Sequence, residues 1–319
     1  MTDLMDRLSR ARPTDDDLRA IWPAGERDLL LDQIRTQAAS AVRRPRRRVV
    51  WLAAAAVTAA VVVPTVVDGG DAEARAELLR LASVASSAEG LGLSPGTYLH
   101  VRTESLQENS RLFADGRTLD TDREAWVGWD GTMWAIDTRP SAGWTEYHHF
   151  PASSEGSFGS PTPEFVAQLP DAPEQLRDYL DTTVSGSNSH DEALFVAVTD
   201  LAHSHLLDPA TLAVALEAIA DVDGMRTRDV VVEGREAVEI SFRRFRLDLL
   251  GVDSFTIDRE TAQVLRVGSS SPGGTYTSTT TLVENVPEIP AEVLAAYERY
   301  GNGSRICPDG READGDGDC

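Results

Sequence analysis

Two pairs of neighbouring histidines, His148-His149 and His203-Ser204-His205, are the residues most able to bind a metal. Neutral imidazole nitrogens are ordinary ligands of zinc and other transition metals. His203 and His205 would share a side only on a strand, and the apolar spacing of Asp191–His203 before them is that of a helix. They are therefore read as structural or surface histidines, and no metal site is assigned. Trp126, Trp129, Trp134 and Trp144 offer flat apolar faces to a ligand cleft. Trp126 and Trp134 flank a hairpin, where cross-strand aromatics also stabilise pairing. Both cysteines, Cys307 and Cys319, lie near the end of the chain, and a disulfide between them is permitted if that segment leaves the cytoplasm. Asp309 to Asp318 alternates carboxylates with glycines, as short calcium loops do. It lacks the spaced bidentate Glu of an EF-hand, so a solvated tail is expected.

Other chemistry is excluded by composition. All 30 basic residues are arginine, so no Schiff-base lysine, Walker A lysine or Ser-x-x-Lys nucleophile exists. Gly-x-Ser-x-Gly and His-Glu-x-x-His are missing, and no Gly-x-Gly-x-x-Gly follows a strand. The chain is expected to have no catalytic residues, no cofactor and no enzymatic activity. Residues 1–48 carry 11 arginines against 8 acids, while the remainder carries 19 against 44. The acidic remainder would repel phosphate backbones, so no nucleic-acid partner is expected.

The elements that must position these residues are legible from periodicity and punctuation. Ala72–Glu89 reads as an amphipathic helix, ended by the glycines of Gly90–Gly96. Strands are expected over Thr97–Thr103, Arg111–Leu119, Arg123–Trp129 and Trp144–Phe150, with Asp130-Gly131 as a hairpin signal. Helical spacing follows over Glu174–Thr183, Asp191–His203 and Pro209–Ala220, with Pro209 at N1 behind Asp208 as cap. Five more alternating runs lie between Thr227 and Glu284, and a short helix covers Pro290–Tyr300. The order predicts an α+β domain: a curved antiparallel sheet with helices packed on one face, and an apolar cleft between the layers.

An uncharged run of 19 residues, Val49–Val67, follows Arg43, Arg44, Arg46, Arg47 and Arg48. As a helix rising about 1.5 Å per residue it reaches across a hydrocarbon core of about 30 Å. The arginines set the N-terminus inside and give the inner end its contact with anionic lipid. Residues 1–48 show helical spacing (Leu18, Ile21, Trp22; Leu30, Leu31, Ile34) and form an n-region too long for a signal peptide. The expected organisation is a cytoplasmic helical segment over 1–48, a transmembrane helix over 49–67, an extracytoplasmic α+β domain over 68–300 and a mobile acidic tail over 301–319. The chain is expected in the cell membrane, single-pass, with its C-terminus extracytoplasmic.

Leu169-Pro170-Asp171-Ala172-Pro173-Glu174-Gln175-Leu176-Arg177, Ala193-Leu194-Phe195, Val222-Asp223-Gly224, Glu233-Gly234-Arg235 and Phe255-Thr256-Ile257-Asp258-Arg259-Glu260-Thr261 form a recognisable series. With the arginine-flanked span, it resembles a family of uncharacterised actinobacterial single-pass membrane proteins that commonly accompany extracytoplasmic-function sigma factors. This chain departs in having Asp223-Gly224 where members often have Pro-Gly, and Thr261-Ala262 where they often have Thr-Gly. The element order also resembles the lipoprotein-carrier half-barrel, a likeness of architecture only. The resemblance implies an outer domain that binds a ligand or partner and inner helices that act on a regulator such as a sigma factor. The alternative is a membrane-tethered carrier or binder of a lipid-like molecule.

Overall fold

Turn chemistry divides the strand-forming sequence into two antiparallel meanders. A computed structural model describes residues 71–108, 118–153, 155–186, 188–246, 249–313 and 319. The cytoplasmic helices expected over 1–48, the cluster Arg43–Arg48, the span Val49–Val67 and most of the strand expected over Arg111–Leu119 lie outside these residues, as do Asp314–Asp318. Among the described residues no helix is long and apolar enough to cross a membrane.

The first meander is β1 (Tyr98–Glu108), β2 (Leu119–Gly128), β3 (Met133–Arg139) and β4 (Trp144–Phe150). Its β2–β3 turn holds Gly131 at φ +79°, with the Thr132 N–H donating to Asp130 Oδ1 at 3.0 Å. The second is β5 (Met225–Val232), β6 (Arg235–Arg246), β7 (Leu249–Asp258), β8 (Val264–Ser271) and β9 (Gly274–Val286). Glu233 and Gly234 both take positive φ (50° and 78°), the mirror-image turn whose twist suits a two-residue hairpin. After β7, Asp258 Oδ1 accepts from the N–H groups of Glu260 and Thr261, both at 2.8 Å. Ala262 then sits at φ 55°, the left-handed region that glycine enters freely. An alanine there costs about 1–2 kcal/mol. Burial of its methyl group returns about 0.8 kcal/mol of that.

β1 pairs with β9 along its length, from Tyr98↔Val286 to Glu108↔Thr275, and so fuses the meanders. The sheet runs β10-β4-β3-β2-β1-β9-β8-β7-β6-β5, antiparallel at every pairing, curved and unclosed. β10 (Arg305–Ile306) pairs with β4 at one edge, so part of the segment expected as a mobile tail instead extends the sheet. Cys307 beside it is buried and disulfide-bonded to Cys319.

The helices are α1 (Asp71–Ser87), α2 (Pro163–Ala167), α3 (Pro173–Thr183), α4 (His190–His203), α5 (Pro209–Ala218) and α6 (Ala291–Tyr300). α1 buries Ala74, Leu78, Leu81, Ala82 and Ala85, one stripe at helical spacing, and packs chiefly on α5. Ser189 caps α4 and Asp208 caps α5, each accepting the N–H three residues on. Leu78, Phe195 and Leu216 from α1, α4 and α5 meet Val238, Ile240, Phe255 and Ile257 of β6 and β7 in one core. The helical layer thus covers the β5–β8 half of the sheet.

The expectation of helices on one face alone requires correction. α6 packs on the other face, where Ile289 and Val293 cluster with Trp126, and Tyr297 meets Trp134 edge-on at 4.8 Å. Apolar residues at adjacent positions of β2, Ala125 and Trp126, give this strand two apolar sides, and α6 covers the Trp126 side.

Candidate functional site

Because the helices seal only half of the sheet, the same face of β1, β2, β3 and β9 borders open space. Two cavities lie there, of about 660 and 410 Å³. The larger lies between the start of β1, the end of β9, α2 and the α4–α5 connection. Its walls carry Leu93, Leu99, Val166, Leu207, Leu212 and Val283. At its rim Leu91 and Trp129 stay exposed, and Phe150 is exposed at the same end of the sheet. That volume falls within the usual size of small-molecule pockets, roughly 300–1,000 Å³.

The smaller cavity adjoins it along β1: Leu99 lines one, and Val101, two residues on, lines the other. It is a mixed chamber: Val101, Val127 and Met133 line it beside Arg123, Asp137, Arg139 and His203, with hydroxyls from Thr103, Ser105, Thr121 and Ser278. Arg123 grips Asp137 with two hydrogen bonds, Nε to Oδ1 and Nη2 to Oδ2, both at 2.6 Å. Burial alone would push the Asp137 carboxyl up, but the Arg123 guanidinium holds it below the usual carboxylate range. His148 Nε2 lies 3.3 Å from the same carboxylate. Two buried polar atoms of the chamber, Arg139 Nε and His203 Nε2, have no hydrogen-bond partner. Such groups are uncommon and costly in a folded protein.

The segment His203–Leu206 borders both cavities, with His203 and Ser204 on the smaller and His205 and Leu206 on the larger. His205 takes φ 57°, which turns its ring inward to place Nε2 3.0 Å from Thr280 Oγ1. Burial, aided by neighbouring His203, lowers the His205 pKa to about 3, so it stays neutral. Burial and Arg123 lower that of His203 as well. The two rings lie 6.2 Å apart, and among the described residues no group of three His, Cys, Asp or Glu is placed to hold a metal ion.

No family model and no curated protein matches the chain. Among solved structures it is similar to a chain described as an outer membrane lipoprotein-sorting protein domain from Vibrio parahaemolyticus, at 8% identity and a TM-score of 0.22, covering 68% of this chain and 96% of that one. It is also similar to a DUF1329 family protein from Desulfovibrio piger, at 9% identity and a TM-score of 0.18, covering 68% and 93%.

The four tryptophans do not converge on one cleft. Only Trp129 lines the apolar cavity. Trp126 and Trp134 pair across β2 and β3 on the α6 face, the opposite side of the sheet. Trp144 lies at the far end of β3–β4 under the guanidinium groups of Arg139 and Arg305, at 5.5 and 4.9 Å. His100 also belongs to the α6 face, stacked on Trp126 at 4.9 Å with its nitrogens 2.9 Å from Glu284 and 2.8 Å from Glu124. Apart from His203, the charged residues that line the chamber were not singled out from the sequence. A signal for them does exist: Arg123 precedes Ala125 and Val127 on one face of β2, and Asp137 and Arg139 follow Met133 and Ala135 on one face of β3.

Behind the chamber, α4 places Asp200 near Asp253 of β7, which Arg244 Nε meets at 3.1 Å. Burial first, and the Asp253 charge second, push the Asp200 carboxyl up to about 6. A carboxyl raised in the folded state favours folding below its unfolded pKa, and that contribution is lost as pH rises through about 6. Asp200→Asn should therefore stabilise the protein at pH 7 by about 1–2 kcal/mol, after discounting for solvent screening of a partly exposed group. The gain should shrink to nothing near pH 4 in thermal melts across this range. An identical gain at both pH values would refute the assignment.

Proposed function

We propose that the chain is a membrane-tethered binder or carrier of a lipid-like molecule, held in the cleft between the sheet and the helical layer. The observation that carries this reading is the cavity of about 660 Å³ walled by Leu93, Leu99, Val166, Leu207, Leu212 and Val283. An apolar space of this kind takes an acyl chain because each methylene moved out of water contributes about 0.8 kcal/mol. The exposed apolar rim at Leu91 and Trp129 gives such a molecule a route in without passing a polar barrier. In this reading Val49–Val67 is the tether, and the domain lies on the extracytoplasmic side.

The test is photolabelling of the full chain with palmitate carrying a diazirine near the end of its tail. Adducts should map to the peptides containing Val166, Leu206–Leu212 and Val283. Labelling confined to Val49–Val67 would sink the proposal. The regulatory reading, in which residues 1–48 act on a sigma factor, rests on the sequence resemblance and the helical spacing of that segment, and stands second.

A further inference from the structure

The chamber beside the apolar cavity differs from it in holding charged side chains, Arg123, Asp137 and Arg139, among its apolar ones. Two charges in it are already matched, since Asp137 is taken by Arg123 through two hydrogen bonds. Asp120, the acid near Arg139, accepts the Ser141 N–H at 3.1 Å. Arg139 Nε and His203 Nε2 remain buried and unpartnered, on opposite walls of the chamber: β3 in the sheet and the end of α4 in the helical layer. Arg139 is permanently charged, and a neutral imidazole still has one N–H to give. A buried donor without an acceptor costs about 1–3 kcal/mol, which an incoming oxygen anion would recover.

We infer that the chamber holds the anionic head, a carboxylate or a phosphate, of the amphiphile whose tail fills the apolar cavity, with Arg139 and His203 as its donors. The inference rests on the proposed lipid-binding reading and adds the class of ligand to it. Leu99 of the one space and Val101 of the other lie two residues apart on one strand face, a separation of about 7 Å that an extended amphiphile spans. The hydroxyls of Thr103 and Ser278 line the same chamber and supply further donors, Ser278 Oγ itself accepting from Ser105 at 3.0 Å.

Three ligands with one tail and different heads test this: hexadecanol, palmitate and hexadecyl phosphate. Each is titrated into the full chain in maltoside detergent and bound complexes are counted by native mass spectrometry. At least one anion should bind about tenfold or more tightly than hexadecanol, as expected for a charge-assisted hydrogen bond. Whichever anion leads identifies the head as carboxylate or phosphate. Arg139→Met should collapse that ratio toward one, and His203→Leu, a substitution on the other wall, should reduce it severalfold. Equal binding of all three by the wild type, or an undiminished ratio in both variants, would overturn the inference and leave the lipid-binding reading standing. Binding of none of the three would remove that reading and the inference with it.

Discussion

Filling the apolar cavity from two walls, with Val166→Trp and Val283→Trp in one chain, should weaken palmitate binding by about fifty-fold. The two residues face the same space from α2 and from β9, and neither is fully buried. Two indole rings in that space would displace about three methylenes of a bound tail, and at about 0.8 kcal/mol each the loss is about 2.4 kcal/mol. The fold should tolerate the change, because the new rings enter open volume and leave the sealed core around Phe195 and Phe255 untouched. Thermal melting of the double variant checks that point, and titration with palmitate under the same conditions checks binding. A well-folded double variant that binds palmitate as the wild type does would show that the tail sits elsewhere.

Removing the cation that holds Asp137 should have the largest effect on stability. Asp137 has only 6% of its side chain exposed, and Arg123 supplies both of its short hydrogen bonds. Breaking a buried ion pair from one side commonly costs about 3–5 kcal/mol, because a charge is left without compensation. Arg123→Met should cost somewhat less, about 2–3 kcal/mol, since Arg123 is half exposed and His148 remains 3.3 Å away. The pH dependence gives the diagnostic sign. In the wild type the Asp137 pKa is depressed, so its contribution is present above the unfolded value and is lost as pH falls through the folded one. Without Arg123, burial dominates and raises the pKa, so the variant should be relatively better off in acid. The gap in melting temperature between variant and wild type should therefore narrow from pH 7 toward pH 4. Adding Asp137→Asn to Arg123→Met should recover most of the loss at pH 7. A deficit that ignores pH and is not relieved by Asp137→Asn would mean that Arg123 acts through packing alone.

Much of the architecture was legible because it is written in short-range patterns. Helical stripes such as Leu78, Leu81 and Ala85, the cap Asp208 and the turn Asp130-Gly131 act within a few residues of themselves. Each therefore appears in the sequence as a period or a punctuation mark. The strand at Arg305–Ile306 is not legible for the same reason: the local composition is that of a loop, and only pairing with distant β4 makes it a strand.

The site was less legible because it depends on which face of the sheet the helices cover. Alternation along β2 puts Trp126 opposite to Ala125, and that parity is local. Both faces of this strand are apolar, however, so no local rule says which one borders the cavity. Tryptophan, as a bulky apolar residue, suggested the ligand side, yet Trp126 and Trp134 form the seat of α6 on the other. Composition, turn positions and element order follow from the chain alone, because propensity and periodicity are properties of neighbours. The cleft, the Arg123–Asp137 pair and the unpartnered Arg139 Nε and His203 Nε2 come from the tertiary structure, because β1 meets β9 and α4 meets the sheet only after long loops have closed.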